Sequence, residues 1–321
     1  MTTPRAIIRS TGAYLPARIV TNADLAKMVD TSDEKIQQLT GIKERRVAAD
    51  GELTSHMATK AARQALDNAG LTAKDIDAVI VATTTPDDTF PATAVKVQAQ
   101  LGMEHGFAFD VQAVCSGFIY ALTNAHGLIA TKQAKRILVI GAEKMSAVVD
   151  WTDRNTCILF GDGAGAVVME ASDEDGRGIL TSHLHSDGRY RDMLYTSGGV
   201  ASNKQAGTIQ MQGREVFKHA VENLAQVIDE ALAATGLKDE DISLLVPHQA
   251  NIRIIESTAK KLNLDMHKVV ITLDKHGNTS AASIPLALHT AVAEGRVKKG
   301  DLLLLEAMGG GFTWGSLLVR W

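Results

Sequence analysis

The chain has 321 residues, 45% of them hydrophobic and 22% charged, enough to bury the core of one large or two ordinary domains. A net charge of -4 argues against a general nucleic-acid binder, and two cysteines in such a length do not make a disulfide framework. No run approaches the roughly 18 apolar residues of a spanning helix, and the start, MTTPRAIIRS, lacks an uncharged stretch of signal-peptide length. The expectation is a cytoplasmic protein in a reducing compartment, with no nucleic-acid partner and no membrane insertion.

Short apolar, β-branched runs alternate with longer segments of helical period. In chain order the pattern predicts a helix over 55–68, a strand over 78–82, a helix over 92–100, a strand over 107–111, a helix over 117–130 and a strand over 137–140. A glycine turn at 161–166 leads into a strand over 166–169, and the turn-rich stretch 188–207 reads as a loop or insertion. Beyond it come a helix over 215–234, a strand over 244–246, a helix over 252–262, a strand over 269–273, a helix over 280–294 and a strand over 302–305. Strands alternating with helices of this length predict an α/β architecture with crossover connections.

One pattern occurs twice. Ala65-Leu66-Asp67-Asn68-Ala69-Gly70-Leu71 ends a helix before an apolar strand, and Ala231-Leu232-Ala233-Ala234-Thr235-Gly236-Leu237 does the same 166 residues later. At that offset the strand beginning at Arg136 falls on the one beginning at Leu302. Each copy carries a glycine just past a helix, where a left-handed cap costs least. Two matches at one offset indicate duplication, with an N-terminal half over 1–172, a C-terminal half over 173–321, and a site between them.

Cys115 stands where a strand gives way to small residues and then to an apolar helix. That setting, at a helix N-terminus, favours thiolate over thiol. On its own, however, a lone cysteine is more often buried and inert, and Cys157, inside an apolar run, fits that description. His248 falls where a buried strand opens toward a helix, the carboxyl-end position that faces ligands in α/β sheets. His126, His219 and His289 lie within helices and read as packed or solvated. His183 and His185 alternate on a strand without a third ligand, so no metal site is expected. Asn278 is placed as an N-cap would be, and capping is its simplest reading. The glycines at 161–165 and 309–311 permit close backbone approach but specify no chemistry. A cysteine with distant His and Asn partners is a known nucleophilic constellation once the three meet in space.

As a set these segments resemble one family. Val-Pro-His-Gln-Ala-Asn (246–251), His-Gly-Asn-Thr-Ser-Ala-Ala-Ser (276–283), Gly-Gly-Gly-Phe-Thr-Trp-Gly (309–315), Phe-Gly-Asp-Gly-Ala-Gly-Ala (160–166), Val-Asp-Thr-Ser-Asp-Glu (29–34) and Thr-Gly-Ile-Lys-Glu-Arg (40–45) are similar in order and spacing to β-ketoacyl-acyl-carrier-protein synthase III. That family holds the initiating condensing enzymes of bacterial type II fatty-acid synthesis, and the resemblance spans essentially the whole chain. It implies a thiolase fold, a layered αβαβα arrangement of two duplicated halves, and a homodimer. The implied reaction condenses an acyl-CoA, typically acetyl-CoA, with malonyl-acyl-carrier protein, giving 3-ketoacyl-carrier protein, CO2 and CoA without metal or other cofactor.

The resemblance also implies residue roles. Cys115, His248 and Asn278 become a catalytic triad, and the backbone N–H groups of Cys115 and Gly310 an oxyanion hole. Phe90 would reach across a dimer into the partner's acyl pocket, Arg154 would lie beside the CoA adenine, and Phe217 and Asn251 would line the pantetheine tunnel. Lys218, Arg253, Lys260 and Lys261 would receive the acidic carrier protein. Two positions depart from the pattern: Lys35 stands where a tryptophan that stacks on adenine is common, and Leu39 where an arginine is common. A lysine meets a phosphate as a point charge but does not stack. These departures leave a second expectation open, a secondary-metabolite condensing enzyme with another acyl donor. Met308, where a degradative thiolase carries a second cysteine, and Asn278, where an elongating synthase carries histidine, argue against both of those relatives.

Overall fold

A computed structural model describes residues 4–321. Nine strands make two sheets: β1 (Arg5–Tyr14), β2 (Ala78–Ala82), β3 (Phe107–Val111), β4 (Arg136–Glu143), β5 (Gly163–Ser172), β6 (Gly178–Ser186), β7 (Leu244–Pro247), β8 (Leu302–Gly309) and β9 (Thr313–Arg320). The first sheet runs β1-β5-β4-β2-β3 and the second β7-β8-β9-β6. In both, a parallel part (β4-β2-β3 and β7-β8) is joined to an antiparallel part. Six main helices accompany them: α1 (Thr54–Ala69), α2 (Thr93–Leu101), α3 (Gly117–Ala130), α4 (Gly213–Thr235), α5 (Ile252–Lys261) and α6 (Ser283–Ala293).

Side-chain alternation along the strands builds the layers. Ala78, Ile80 and Ala82 face a core shared with α3 and α6, while Val79 and Val81 face α1 and α2. Leu303, Leu305 and Ala307 join that same central core, and Leu302 and Leu304 turn outward beneath α4 and α5. Strands buried on both faces read as unbroken apolar runs, as in Leu302 to Leu305. The order is therefore outer helices, sheet, α3 with α6, sheet, outer helices. This is the αβαβα layering expected, and α3 and α6 are apolar nearly all round because each lies between two sheets.

The 166-residue offset extends through the structure. β4 begins at Arg136 and β8 at Leu302, α1 ends at Ala69 and α4 at Thr235, and α3 starts at Gly117 and α6 at Ser283. Gly70 and Gly236 cap α1 and α4 in the left-handed conformation, with φ of 66° and 68°.

The strand expected over 269–273 does not form. Only Val269 bridges to Leu245, at the place β3 occupies in the first sheet. The buried Gln249 amide replaces the ladder, its oxygen accepting from Thr272 N (2.8 Å) and Leu273 N (3.1 Å) and its nitrogen donating to Val270 O (3.0 Å). The stretch expected to be a loop over 188–207 instead supplies one edge of a short ribbon, Leu194–Thr196 pairing with Ile209–Met211 on the wall of a large cavity.

Candidate active site

The cavity, about 1090 Å³ in volume, enters between the halves and is lined at once by Cys115, His248 and Asn278. Cys115 lies in a single 3-10 turn, Val114–Ser116, directly before α3, and is buried. Thr313 ties this turn to the C-terminal glycines, its hydroxyl donating to Ala113 O (2.9 Å) and accepting from the Ser116 hydroxyl (2.8 Å). Gly309 has no room for a side chain, since a Cβ there would fall 2.5 Å from Cys115 N. Glycine brings that backbone against the Cys115 turn, and Gly310 comes next on the cavity wall.

His248 extends the β7 ladder by one bond, its N–H donating to Glu306 O at 2.8 Å. Its Nδ1 lies 2.6 Å from the Ser283 hydroxyl in the first turn of α6. Burial pushes the imidazole down to about 3, so the ring is neutral at ordinary pH. Asn278 is fixed by its backbone, donating to Leu159 O (2.8 Å) and accepting from Gly161 N (3.0 Å). Its side-chain oxygen accepts from Ser280 N (2.9 Å), which leaves its amide nitrogen as the donor end. This is a local turn bond, and Asn278 does not cap α6, which begins after Ala282.

Two influences oppose each other at the Cys115 thiol. Burial pushes it up to about 12, the Ser280 hydroxyl opposes the shift, and the Glu143 charge adds to it. A helix N-terminus favours the thiolate, against the desolvation of the buried sulfur. Cys157 is buried in a separate apolar cluster with Val20, Leu25 and Ile36.

The remaining candidates fall into three groups. Arg154, Phe217, Asn251 and Arg253 line the cavity, as do Lys35 and Leu39 at the departures from the family pattern. Arg154 is ion-paired with Asp30 at 3.1 Å. Asn251 caps α5 through Arg253 N (2.9 Å) and donates to Leu39 O (3.0 Å), while Arg253 donates to Gln38 O (3.1 Å), so the helix bearing Lys35 is tied to α5. Lys218, Lys260 and Lys261 are exposed, and Lys261 is paired with Asp229 at 3.1 Å. Phe90 stands outside the cavity, 84% exposed. His183 and His185 share Glu230, with His185 Nε2 at 2.6 Å.

Ser283, Ser280 and Glu143 went unnoticed in the sequence, because serines near a turn and one acid at the end of an apolar strand carry no spacing signal. Glu143 is fully buried at the end of β4, where Thr84 N (3.0 Å), the Thr85 hydroxyl (2.6 Å) and the Ser280 hydroxyl (3.0 Å) donate to it.

Two duplicated halves around paired central helices, with a buried cysteine at one helix start and His and Asn on the same cavity, define a thiolase-fold condensing enzyme. Residues 109–188 match the family model described as 3-oxoacyl-[acyl-carrier-protein] synthase III, and residues 232–321 match that of its C-terminal part. The chain belongs to the β-ketoacyl-acyl-carrier-protein synthase III family: it is 63% identical to the Rhodospirillum centenum enzyme and 60% identical to that of Agrobacterium fabrum, each over 99% of both chains. The crystal structure of the Aquifex aeolicus synthase III, 51% identical, superposes with a TM-score of 0.94 over 98% of this chain and 100% of that one. The priming β-ketosynthase of the R1128 polyketide pathway, 33% identical, superposes with a TM-score of 0.93 over 100% and 98%.

Proposed function

We propose that the protein condenses an acyl-CoA primer, acetyl-CoA in the first instance, with malonyl-acyl-carrier protein to give 3-ketoacyl-carrier protein, CO2 and CoA, the step that starts fatty-acid synthesis. One observation carries this reading: a buried cysteine, a neutral buried histidine and an oriented asparagine line one cavity. The Cys115 sulfur attacks the acyl thioester and holds the acyl group covalently. The backbone N–H groups of Cys115 and Gly310 receive the oxyanion. Loss of CO2 from the malonyl thioester leaves an enolate oxygen, which accepts from His248 Nε2–H and from the Asn278 amide. Nδ1 then accepts from the Ser283 hydroxyl, which sets the tautomer. Two neutral donors suffice for this charge, so the reaction is assigned no metal or other cofactor. The enolate carbon attacks the acyl-Cys115 carbonyl and expels the thiolate.

Other features support the surrounding assignments. β3 is an edge strand whose Phe107 and Phe109 rings stack, and with exposed Phe90 it suits a homodimer in which Phe90 closes the partner's acyl pocket. Lys218, Arg253, Lys260 and Lys261 form the carrier-protein face, with Lys261 weakened by Asp229. Arg154, Phe217 and Asn251 line the path of CoA, and Lys35 offers its phosphates charge without stacking. We take residues 1–172 and 173–321 as the two halves and the cytoplasm as the site of action, where neither nucleic acid nor membrane is a partner. A secondary-metabolite role is not favoured, since the curated relatives at 58–63% identity bear the synthase III name.

Incubation with acetyl-CoA is expected to add one acetyl group to the intact protein, mapped to Cys115, which malonyl-acyl-carrier protein then discharges. An unlabelled protein, or a label that survives Cys115→Ala, overturns the assignment.

A further inference from the structure

The proposed chemistry leaves one proton without a destination. Cys115 must lose its proton before attacking a thioester, and the His248 ring is a poor acceptor. Its Nδ1 is engaged by Ser283, and its Nε2 must carry a proton to serve the enolate. Another route begins at the sulfur itself. The turn that carries Ser280 packs against the turn that carries Cys115. The Ser280 hydroxyl favours the thiolate form of that sulfur, and it donates to Glu143 Oε1 at 3.0 Å.

We propose that Ser280 and Glu143 form a proton relay for Cys115, storing the thiol proton on Glu143 for as long as the sulfur carries the acyl group. This rests on the reading of Cys115 as the acyl carrier. In the first half-reaction the Sγ–H bond breaks and the proton passes to Ser280 Oγ as the Ser280 hydroxyl proton passes to Glu143 Oε1. The sulfur electron pair forms the bond to the acyl carbon, the bond from that carbon to CoA sulfur breaks, and CoA thiolate takes a proton from solvent. In the second, the enolate carbon bonds to the acyl carbon, the bond to Sγ breaks, and the departing thiolate recovers the stored proton through Ser280.

Three observations support the assignment. Burial alone pushes both groups toward their protonated forms, so the enclosed site tolerates one negative charge more readily than two, and the relay never charges the thiol and the carboxyl together. Ser280 is one of the few non-glycine residues held in the left-handed region, with φ of 50°, in a turn that packs on the Cys115 turn while its hydroxyl reaches Glu143. The other partners of Glu143 are hydroxyls and N–H groups of Thr83, Thr84 and Thr85, which rotate or persist as donors when it gains a proton.

The ionisable groups near this carboxyl are few. Cys115 lies beyond Ser280, and His248 lies on the same cavity wall. Lys144, next in the chain, turns its ammonium to Glu52 O (2.8 Å), and Asp162 is held by Ala48 N and Ser146. Asp110 is engaged by Thr93 N and Ala94 N at the start of α2.

The test is single-turnover acetylation of Cys115 by acetyl-CoA, monitored by intact mass across a pH series, in the full-length protein and in Ser280→Gly, Glu143→Gln and the double variant. Ser280→Gly suits the left-handed backbone and removes the whole hydroxymethyl group, so its melting temperature is measured beside its rate. Its acetylation is expected to slow about 10²-fold near neutral pH and to regain tenfold per pH unit as hydroxide replaces the relay. Glu143→Gln is expected to show the same profile, and the double variant to be no slower than Ser280→Gly, because the two act as one unit. Parental rate and pH profile in a folded Ser280→Gly would overturn the relay while leaving Cys115 as acyl carrier. A parent protein that takes no acetyl group fails the underlying reading instead.

Discussion

The two halves begin their central helices alike and use them differently. Val114 and Ser280, 166 residues apart, both sit in the left-handed region, with φ of 49° and 50°. Each opens one 3-10 turn, Val114–Ser116 and Ser280–Ala282, which runs straight into a buried helix. In the first half that turn holds Cys115, and in the second the matching position is Ala281. The residue at the end of the neighbouring strand is reversed in kind. It is Gly309 beside Cys115, where any side chain would collide, and Glu143 beside Ser280, where a carboxylate fills the space. Duplication thus supplied two equivalent helix starts. One is kept clear by glycine around Cys115, and in the proposed reading it carries the covalent intermediate; the other is lined with hydroxyls and a buried carboxyl.

Removing the one nucleophile should break this asymmetry outright. Cys115→Ala is expected to show no acetyl-enzyme by intact mass while retaining the parent's melting temperature. Next come the donors of the second half: Asn278→Ala and His248→Ala should each still accept the acetyl group, yet lose about 10²–10³-fold in decarboxylation of malonyl-carrier protein. CO2 release from pre-acetylated enzyme measures this, and a loss of acetylation instead would move these residues to the first half-reaction. The close-packed positions sharpen the contrast further. Gly309→Ala places a Cβ 2.5 Å from Cys115 N, and Gly141→Ala places one 2.2 Å from Ala281 O in the equivalent turn. Both should cost at least about 1–3 kcal/mol in denaturant unfolding, and Gly309→Ala is expected to lose more acetylation rate than Gly141→Ala.

Protonation separates the two halves as well, through a pH dependence of stability. His248 is pushed down to about 3 in the fold, whereas an unfolded imidazole titrates near 6.5. The unfolded chain therefore binds a proton that the folded ring refuses, and stability should fall as pH drops from about 6.5 toward 3. Glu306, buried without a partner for Oε2 and pushed up to about 8, has the opposite sign. Its contribution is full below the unfolded carboxyl value near 4.3 and is lost as pH rises through about 8. Glu306→Gln should flatten the alkaline limb of a urea-midpoint curve and leave the acid limb to His248.

Much of the fold was legible because both-face burial and helical period write themselves into residue type. The strands at Ala78–Ala82 and Phe107–Val111 and the helix at Gly117–Ala130 lie where the pattern put them. The failure at 269–273 has the same origin, since apolar residues there are buried, but the Gln249 amide occupies the hydrogen bonds a strand would need. At the site, residue type told which side chains carry reactive atoms but not their surroundings. For Cys115 the helix start was legible but the burial of its sulfur was not, because Gly309 and Thr313, which pack on its turn, are distant in sequence. The roles of Ser280, Ser283 and Glu143 depend wholly on what folds against them.

The quiet thiol has a consequence for how the protein meets oxidants and drugs. Peroxide and simple alkylating agents attack the thiolate, the form that burial of this sulfur disfavours. The resting protein should resist the first oxidation to sulfenic acid, and its cysteine should be passed over in surveys of reactive thiols. An effective covalent inhibitor must then bring its own recognition. It has to fill the acyl and pantetheine path and present an electrophile that draws the proton off, as a thioester does, because warhead reactivity alone would be spent on other proteins first.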